Sequence, residues 1–319
     1  MIVGKNEGPF LPQGILSVTY LGRNNMGVAK RILLYLGLNI LIVMTISLLL
    51  AVFHVQPYLT RYGLSVPDLA IFSLVWGMSA ALIQLGLSRA MAKWVYGVKL
   101  IDTGHCSQQE RELVDMVHDL CRRAGLSVMP EVGIYQSSEA NAFATGPTRS
   151  RALVAVSSGL FKLMDQDEMR GVLGHEISHV TNGDMVTMTL LTGVVNAFVM
   201  FLSRLIAYAM ARGSRNSQGT YILVQMLLQF VFLILGSMLI AAYSRHRECR
   251  ADDGGAHLAG REKMIKALEA LQRTYDRVDV GSQPALQAMK MSCKPQGIFR
   301  LFSTHPPLED RIARLKQEG

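Results

Sequence analysis

Long uninterrupted apolar stretches dominate the pattern of hydrophobic and polar positions along this 319-residue chain. Four of them, at residues 32–53, 69–87, 188–210 and 221–243, are each long enough to cross a bilayer as a helix. The third contains Arg204 toward its far end, and the other three contain no charged residue. The pattern predicts two transmembrane helical hairpins. A buried or interfacial hairpin is the alternative for the later pair.

Basic residues flank these stretches unevenly. They concentrate before the first stretch, after the second and after the fourth: Arg23, Lys30, Arg31, Arg89, Lys93, Lys99, Arg245, Arg247 and Arg250. The positive-inside rule places these flanks in the cytoplasm, although Arg212 and Arg215 in the last short loop argue against it. The net charge of +8 is therefore mainly a signal of topology. It forms no basic patch interleaved with aromatic residues, so nucleic acid is not an expected partner.

The segments outside the apolar stretches have the pattern of a folded, water-facing domain. Ser107 and Glu110 have the spacing of a capping box for an amphipathic helix, and β-like runs follow at residues 132–135, 142–144 and 153–156. We therefore expect a small sheet. The predicted organisation is an extension at residues 1–29, expected to be disordered, a first hairpin at 30–95 and a second hairpin at 187–243. The domain itself is predicted in two parts, at residues 96–186 and 244–319.

The motif His175-Glu176-Ile177-Ser178-His179 carries the clearest chemistry. Two histidines four residues apart lie on one face of an α-helix, so both imidazoles can reach one metal ion. Glu176 then lies beside the open position of the metal, where it can accept a proton from bound water as a general base. Polar residues in the first turns make this helix unsuited to cross a bilayer.

A catalytic zinc site takes three protein ligands and leaves one position open. Glu248, shortly after the fourth apolar stretch, is the predicted third ligand, and His246 and Asp253 are the alternatives. If this segment is helical, Asp252 lies one turn beyond Glu248 and can hydrogen-bond the distal nitrogen of a ligand imidazole. The second hairpin would bring these residues back to the metal helix at the membrane surface. Two imidazoles and a carboxylate favour Zn²⁺ over other divalent ions.

A peptide-binding strand is also predicted. Residues 141–146 read Asn-Ala-Phe-Ala-Thr-Gly, and they could form an edge strand whose unpaired amides bind an extended peptide. Asn141, Ala142 and Phe143 are the predicted substrate-binding residues. An ordinary hairpin is the alternative.

As a set, these motifs resemble those of the HtpX-type membrane zinc endopeptidases, which are relatives of the CAAX prenyl endopeptidases. The resemblance extends from about the first apolar stretch to Ile312, in the same order. Its carriers are residues 174–179, 182–185, 244–248, 251–252, 141–146 and 303–308. The segment before Met26 departs from the family pattern.

The resemblance implies an integral membrane protein, mainly α with a small β-sheet (α+β). Its zincin-like (gluzincin) metalloprotease domain would accompany two transmembrane helical hairpins. By the family's motif, His175, His179 and Glu248 bind one Zn²⁺ per subunit, and Glu176 is the general base and acid.

The same resemblance also implies a role for two C-terminal residues. His305 and Arg311 match positions that approach the active site in this group. We attach to them the hypothesis of a catalytic role toward the tetrahedral oxyanion, with helix capping or an ion pair as the alternative.

The implied protein is a multi-pass zinc metalloendopeptidase of the bacterial inner membrane, with its catalytic domain facing the cytoplasm. It would hydrolyse misfolded or damaged membrane proteins in quality control under stress, with peptide substrates and the lipid bilayer as partners. One rival is a CAAX-type prenyl-protein endopeptidase, which the short chain and few predicted spans disfavour. The other is a membrane scaffold or chaperone with a structural metal, which would require a fourth protein ligand.

Overall fold

The structure is a computed structural model that describes residues 44, 52, 59–60, 63–212, 216–277 and 301–317. The predicted extension at residues 1–29 lies outside these ranges. So does the first predicted span, residues 32–53, apart from Met44 and Val52. The division into five segments therefore stays a prediction.

Helices make up most of the described chain, with short strands between them. In chain order the elements are β1 (Leu59–Thr60), β2 (Gly63–Leu64), α1 (Val66–Val95), β3 (Lys99–Leu100), α2 (Gln108–Arg123), β4 (Glu131–Tyr135), β5 (Ala142–Thr145), a 3-10 turn (Arg149–Arg151), β6 (Leu153–Ser157), α3 (Ser158–Leu163), α4 (Gln166–Asn182), α5 (Asp184–Ala211), α6 (Ser217–Ala259), α7 (Arg261–Arg277) and α8 (Leu308–Gln317).

Three of the described helices, α1, α5 and α6, are long and apolar enough to cross a membrane. They contain the second, third and fourth predicted stretches, and α5 packs against both of the others. The apolar half of α6 exposes large side chains such as Leu223, Met226 and Phe230, as expected of a surface that faces lipid. This helix continues without a break into the segment that carries Glu248. The predicted boundary at residues 243–244 therefore falls inside a helix.

The predicted sheet has four strands in the order β3-β4-β6-β5. β4 and β6 are parallel, whereas β3 and β5 pair antiparallel with their neighbours. Every residue of β6 is buried, as its apolar sequence requires of a central strand. β5 lies at one edge, so the prediction of an edge strand there is confirmed. The two-residue strand β3 was not predicted from the sequence.

The two faces of the sheet pack against different parts of the chain. One face joins the main core, where α2 and α4 contribute residues such as Val117, Leu120, Leu173 and Ile177. The other face is a smaller cluster that includes Ala92 from the last turns of α1. The membrane helix α1 is thus packed directly onto the sheet.

The residues at both ends of α4 explain where this helix begins and ends. Asp165 and Glu168 form a capping box, which satisfies backbone N–H groups at the start of the helix. At the other end Gly183 adopts φ +71°, a left-handed conformation that favours glycine, and it is the single residue between α4 and α5. The helix that carries both histidines therefore turns directly into a membrane helix.

Two glycines let α6 approach α4 closely. A Cβ atom on Gly254 would overlap the side chain of Ser178, and a Cβ atom on Gly255 would lie 3.0 Å from the backbone nitrogen of His175. The contact is therefore nearly backbone to backbone. It brings the polar half of α6 within reach of both histidines.

We predict that Gly254→Ala separates these helices and lowers both thermal stability and metal content. Overpacking a tight contact costs about 1–3 kcal/mol, against about 1 kcal/mol that alanine gains over glycine inside a helix. Adding Ser178→Gly removes the atoms that collide with the new methyl group, so the double variant should regain most of the loss. Thermal melting and metal analysis of the purified proteins measure both effects.

Gly86→Ala is the matched control, because a Cβ atom there meets nothing within 4 Å. A Gly254→Ala variant that melts and binds metal like the Gly86→Ala control would contradict the close approach.

Candidate metal centre

Three buried side chains converge between α4 and α6. The Nε2 atoms of His175 and His179 lie 3.1 Å apart. Glu248 Oε2 is 3.3 Å from Nε2 of His175, and its Oε1 is 3.4 Å from Nε2 of His179. One ligand atom from each residue lies within 4.8 Å of the others, as the donors around a shared metal ion would.

The chemistry of these donors fits a metal ion. Glu248 is fully buried, and its two oxygens lie 2.9–3.4 Å from ring nitrogens of His175, His179 and His305. A buried carboxylate is costly unless its charge is compensated, and a cation held between it and the two histidines of α4 would compensate that charge. Two imidazoles and one carboxylate are also a donor set that catalytic zinc sites use.

The two alternatives to Glu248 lie elsewhere. His246 is exposed, and Asp253 is exposed and forms an ion pair with Arg314 at 2.7 Å. Neither belongs to the cluster that the described residues form. The geometry therefore favours Glu248 as the third donor.

A carboxylate contacts the Nδ1 atom of each histidine, on the side of the ring away from the other donors. Asp252 Oδ1 lies 3.0 Å from Nδ1 of His175, and Asp184 Oδ2 lies 2.7 Å from Nδ1 of His179. Asp252 was predicted at this position from its helical spacing to Glu248, whereas no role was predicted for Asp184. The available signal was the Asn182-Gly183 helix stop, because a sharp turn there sends the next residue back toward His179.

Arg311 and His305 differ in their relation to the cluster. Arg311 is buried and binds both oxygens of Asp252, with its Nε at 2.8 Å from Oδ2. Its Nη2 lies 3.5 Å from Nδ1 of His175, on the side of the ring away from the other donors. The ion pair with Asp252 is the alternative that the sequence left open for Arg311, and a catalytic role of Arg311 stays a prediction. The ring of His305 is 61% exposed, with Nδ1 at 2.9 Å from Glu248 Oε2.

Glu176 joins the cluster to the edge strand. Its Oε2 accepts a hydrogen bond of 3.0 Å from the backbone N–H of Ala144 in β5. Glu176, Asn141, Ala142 and the three donors line one cavity of about 750 Å³. The cavity also receives apolar side chains from α7 and from residues 302–308.

Phe143 also lines this cavity. Its ring packs on Tyr96 and Tyr135, with ring centroids 5.3 and 5.6 Å away. These contacts belong to the smaller cluster on the other face of the sheet. The side chain of this predicted substrate-binding residue therefore anchors the strand.

The carboxylates favour protonated imidazoles when no metal is bound. Burial alone would lower the pKa of His179, but hydrogen bonds with Asp184 and Glu248 outweigh it and raise that pKa to about 9. Burial likewise opposes protonation of His175, and hydrogen bonds with Asp252 and Glu248 raise its pKa above the usual value. A proton and a metal ion therefore compete for the same Nε2 atoms.

Comparison with known proteins identifies the family. The model of peptidase family M48 matches residues 107–319. The chain belongs to this family. It is 48% identical over 298 residues to the protease HtpX homolog of Bacillus subtilis, which covers 91% of this chain and 99% of that protein. The protease HtpX homolog of Bacillus velezensis is 46% identical over 297 residues, with the same coverage. The protease HtpX of Pasteurella multocida is 43% identical over 289 residues, with 90% and 98% covered.

The fold of this M48 peptidase is also that of a solved structure. The crystal structure of S. mikatae Ste24p superposes with a TM-score of 0.63 at 17% sequence identity, over 93% of this chain and 67% of that one. The expected fold class and the resemblance to HtpX-type proteases are confirmed. The protein is a membrane metalloprotease of the HtpX type, and its family implies a bound metal ion.

We predict that metal binding to the metal-free protein releases at least one proton per site at pH 7. Metal requires neutral imidazoles, and the His179 pKa of about 9 means that its ring holds a proton at pH 7 in the metal-free state. Below that pKa the apparent affinity should fall about tenfold per pH unit for each displaced proton. Calorimetric titrations in buffers of different ionisation enthalpy count the protons.

Asp184→Asn supplies the comparison, because it removes the carboxylate that raises this pKa and so should reduce the release at pH 7. An observed heat of binding that does not change with the buffer would contradict the prediction.

Proposed function

We propose that this protein is a zinc endopeptidase that hydrolyses misfolded or damaged membrane proteins at the cytoplasmic face of a bacterial inner membrane. The convergence of His175, His179 and Glu248 beside Glu176 is the observation that carries the proposal. The relatives named as HtpX proteases support proteolysis, and the apolar helices support a membrane location.

The two histidines and Glu248 would hold the zinc ion. Asp252 and Asp184 accept hydrogen bonds from the Nδ1 atoms of the rings, which leaves each Nε2 as the donor toward the metal. Zinc bound there supplies a Lewis acid that polarises the scissile carbonyl and lowers the pKa of water toward neutrality.

Glu176 is the general base and acid of the reaction. The N–H of Ala144 fixes one of its carboxylate oxygens, so the group keeps its direction in the cavity. Glu176 takes a proton from the attacking water and later gives it to the leaving amine. Its distance from the metal donors is set by the helix, since it follows His175 directly in α4.

The substrate would lie along β5 as an added strand. Ser157 N–H donates to the carbonyl of Asn141, whereas Ala144 N–H points away from β6 toward Glu176. Because successive residues of a strand alternate in direction, the N–H and C=O of Ala142 and the C=O of Ala144 face the free edge. These groups can pair with an extended peptide.

His305 and Arg311 receive different roles. His305 lies in the wall of the cavity and is exposed, so it can hydrogen-bond the oxyanion that develops on the scissile carbonyl. Arg311 positions His175 through Asp252. The two residues are close in the sequence, but they contact different residues of the same site.

The location of the donors relative to the bilayer favours membrane substrates. His179 is separated from the membrane helix α5 only by the last residues of α4 and Gly183, and Glu248 follows the apolar half of α6 in the same helix. The cavity is therefore at the foot of the second hairpin. Arg245, Arg247 and Arg250 follow the apolar run of α6, and by the positive-inside rule they support a cytoplasmic location for this foot.

We predict that Glu176→Gln keeps the metal and abolishes proteolysis. Glutamine has the same shape and still accepts the hydrogen bond from Ala144, but it cannot take a proton from water. Loss of a general base typically costs about 10²–10⁴-fold in rate. Cleavage of casein and of a detergent-solubilised membrane protein, with zinc content measured in parallel, tests the proposal.

Asp167→Asn is the control, since this half-buried residue lies on the same helix and pairs with Lys263 away from the cavity. The wild type and the control should lose activity to a chelator and recover it with zinc. Full activity of Glu176→Gln would exclude the assigned role.

We predict that Ala142→Pro raises KM for extended peptides with little change in zinc content. Proline removes an N–H that faces the free edge, so the sheet keeps its own bonds while the substrate loses one. Steady-state kinetics with peptide substrates measures the change.

Peptides methylated on single backbone nitrogens are the complementary probe, because only those at pairing positions should bind more weakly. An unchanged KM for Ala142→Pro and equal binding of all methylated peptides would rule out strand addition.

A further inference from the structure

Each carboxylate that hydrogen-bonds a candidate ligand histidine is itself bound by an arginine. On the His175 side, Arg311 binds Asp252, and all three residues are buried. On the His179 side, Arg250 Nη2 donates to Asp184 Oδ1 at 3.0 Å, while Asp184 Oδ2 lies 2.7 Å from Nδ1 of His179.

The second of these chains links three helices. His179 is in α4, Asp184 is the first residue of α5, and Arg250 is in α6. α5 and α6 are the two legs of the membrane hairpin. Arg250 therefore closes the foot of this hairpin, and it does so through the carboxylate that orients a metal-binding ring.

The carboxylate of Asp184 depends on both partners for its direction. Asp184 is 1% exposed, so water cannot replace a lost partner at little cost. One hydrogen bond leaves a carboxylate free to rotate about its axis, whereas bonds on both oxygens fix its plane. A fixed plane fixes the ring of His179, and with it the direction of Nε2.

We propose that Arg250 is a positioning residue of the metal centre, which acts on His179 through Asp184 and so ties metal affinity to the joint between the two membrane helices. The proposal rests on the zinc site assigned above. Guanidinium supplies a directional donor at the end of a long side chain, which the shorter reach and single point charge of lysine reproduce only in part.

Arg250 can also be substituted with little loss of side-chain packing. Its side chain is 49% exposed, so its removal takes away few packed atoms, in contrast to the buried Arg311. A change in metal affinity at Arg250 therefore reports on the hydrogen bond to Asp184 more directly than on the stability of the fold.

The experiment measures zinc affinity and the rate of zinc loss by chelator competition, with full-length protein in detergent and no substrate. Removal of a direct support for a metal ligand costs about 10–100-fold in affinity, so we expect Asp184→Asn to fall in that range. Arg250→Gln, one bond further away, should weaken zinc binding by about three- to tenfold, and Arg250→Lys by less. Arg123→Gln is the control, because Arg123 is exposed and pairs with Asp119 at 3.1 Å away from the cavity.

A double-variant cycle identifies the route. If Arg250 acts through Asp184, Arg250→Gln should add little to the loss caused by Asp184→Asn. Equal zinc affinities for Arg250→Gln, Arg123→Gln and the wild type would overturn the inference and leave the zinc site intact. Additive losses in the double variant would overturn the route through Asp184. A wild type that binds no zinc would overturn the proposed function itself.

Discussion

Compensation of buried negative charge is the constraint on which this site depends. Glu248, Asp252 and Asp184 are each at most 1% exposed, and an isolated carboxylate in such a place would be strongly unfavourable. Each one instead contacts an arginine: Arg247, Arg311 and Arg250, respectively. In the pair of Arg311 and Asp252 both side chains are buried, and removing one partner from such a pair typically costs about 3–5 kcal/mol, because the remaining charge stays buried. The geometry of the candidate ligands is therefore held by the protein itself, and under the proposed function a metal ion would enter an arrangement that already exists.

The membrane helices contribute to this arrangement as rigid supports. α6 is one helix over Ser217–Ala259, so its packing in the apolar half sets the direction of Glu248 and Asp252 in the polar half. α4 meets α5 through Gly183 alone, which leaves little freedom between the histidines and the bilayer. The close approach of α6 to α4 at Gly254 then holds these two helices against each other. A long detour through the bilayer between ligands is compatible with a precise site because both legs of the detour are helical and packed.

The sequence predicts local features well and tertiary ones poorly. The spacing of His175 and His179 requires only a helix, and the ends of that helix are encoded by Asp165, Glu168 and Gly183. Glu248 could be named only beside His246 and Asp253, because the choice depends on how α6 crosses α4. Asp184 was missed because its role depends on the turn at Gly183, which brings it back to His179. The ion pair of Arg311 with Asp252 could be named only as an alternative to a role at the oxyanion, since a family motif gives position along the chain and not direction in space.

The edge strand shows how one element can serve both binding and chemistry. Glu176 is held by Ala144, two residues along the strand from Ala142, whose polar groups face the free edge. A substrate paired with this edge would therefore have its scissile bond fixed relative to the base by the same backbone. Such positioning is worth several kcal/mol of the barrier when the reacting groups are held about 3–3.5 Å apart. Phe143, between these two residues, packs on Tyr96 at the end of α1. The strand is thus fixed to the end of a membrane helix on one side and to Glu176 on the other. Under the proposed function, a chain that leaves the bilayer beside α1 would meet the edge of the sheet in a defined orientation.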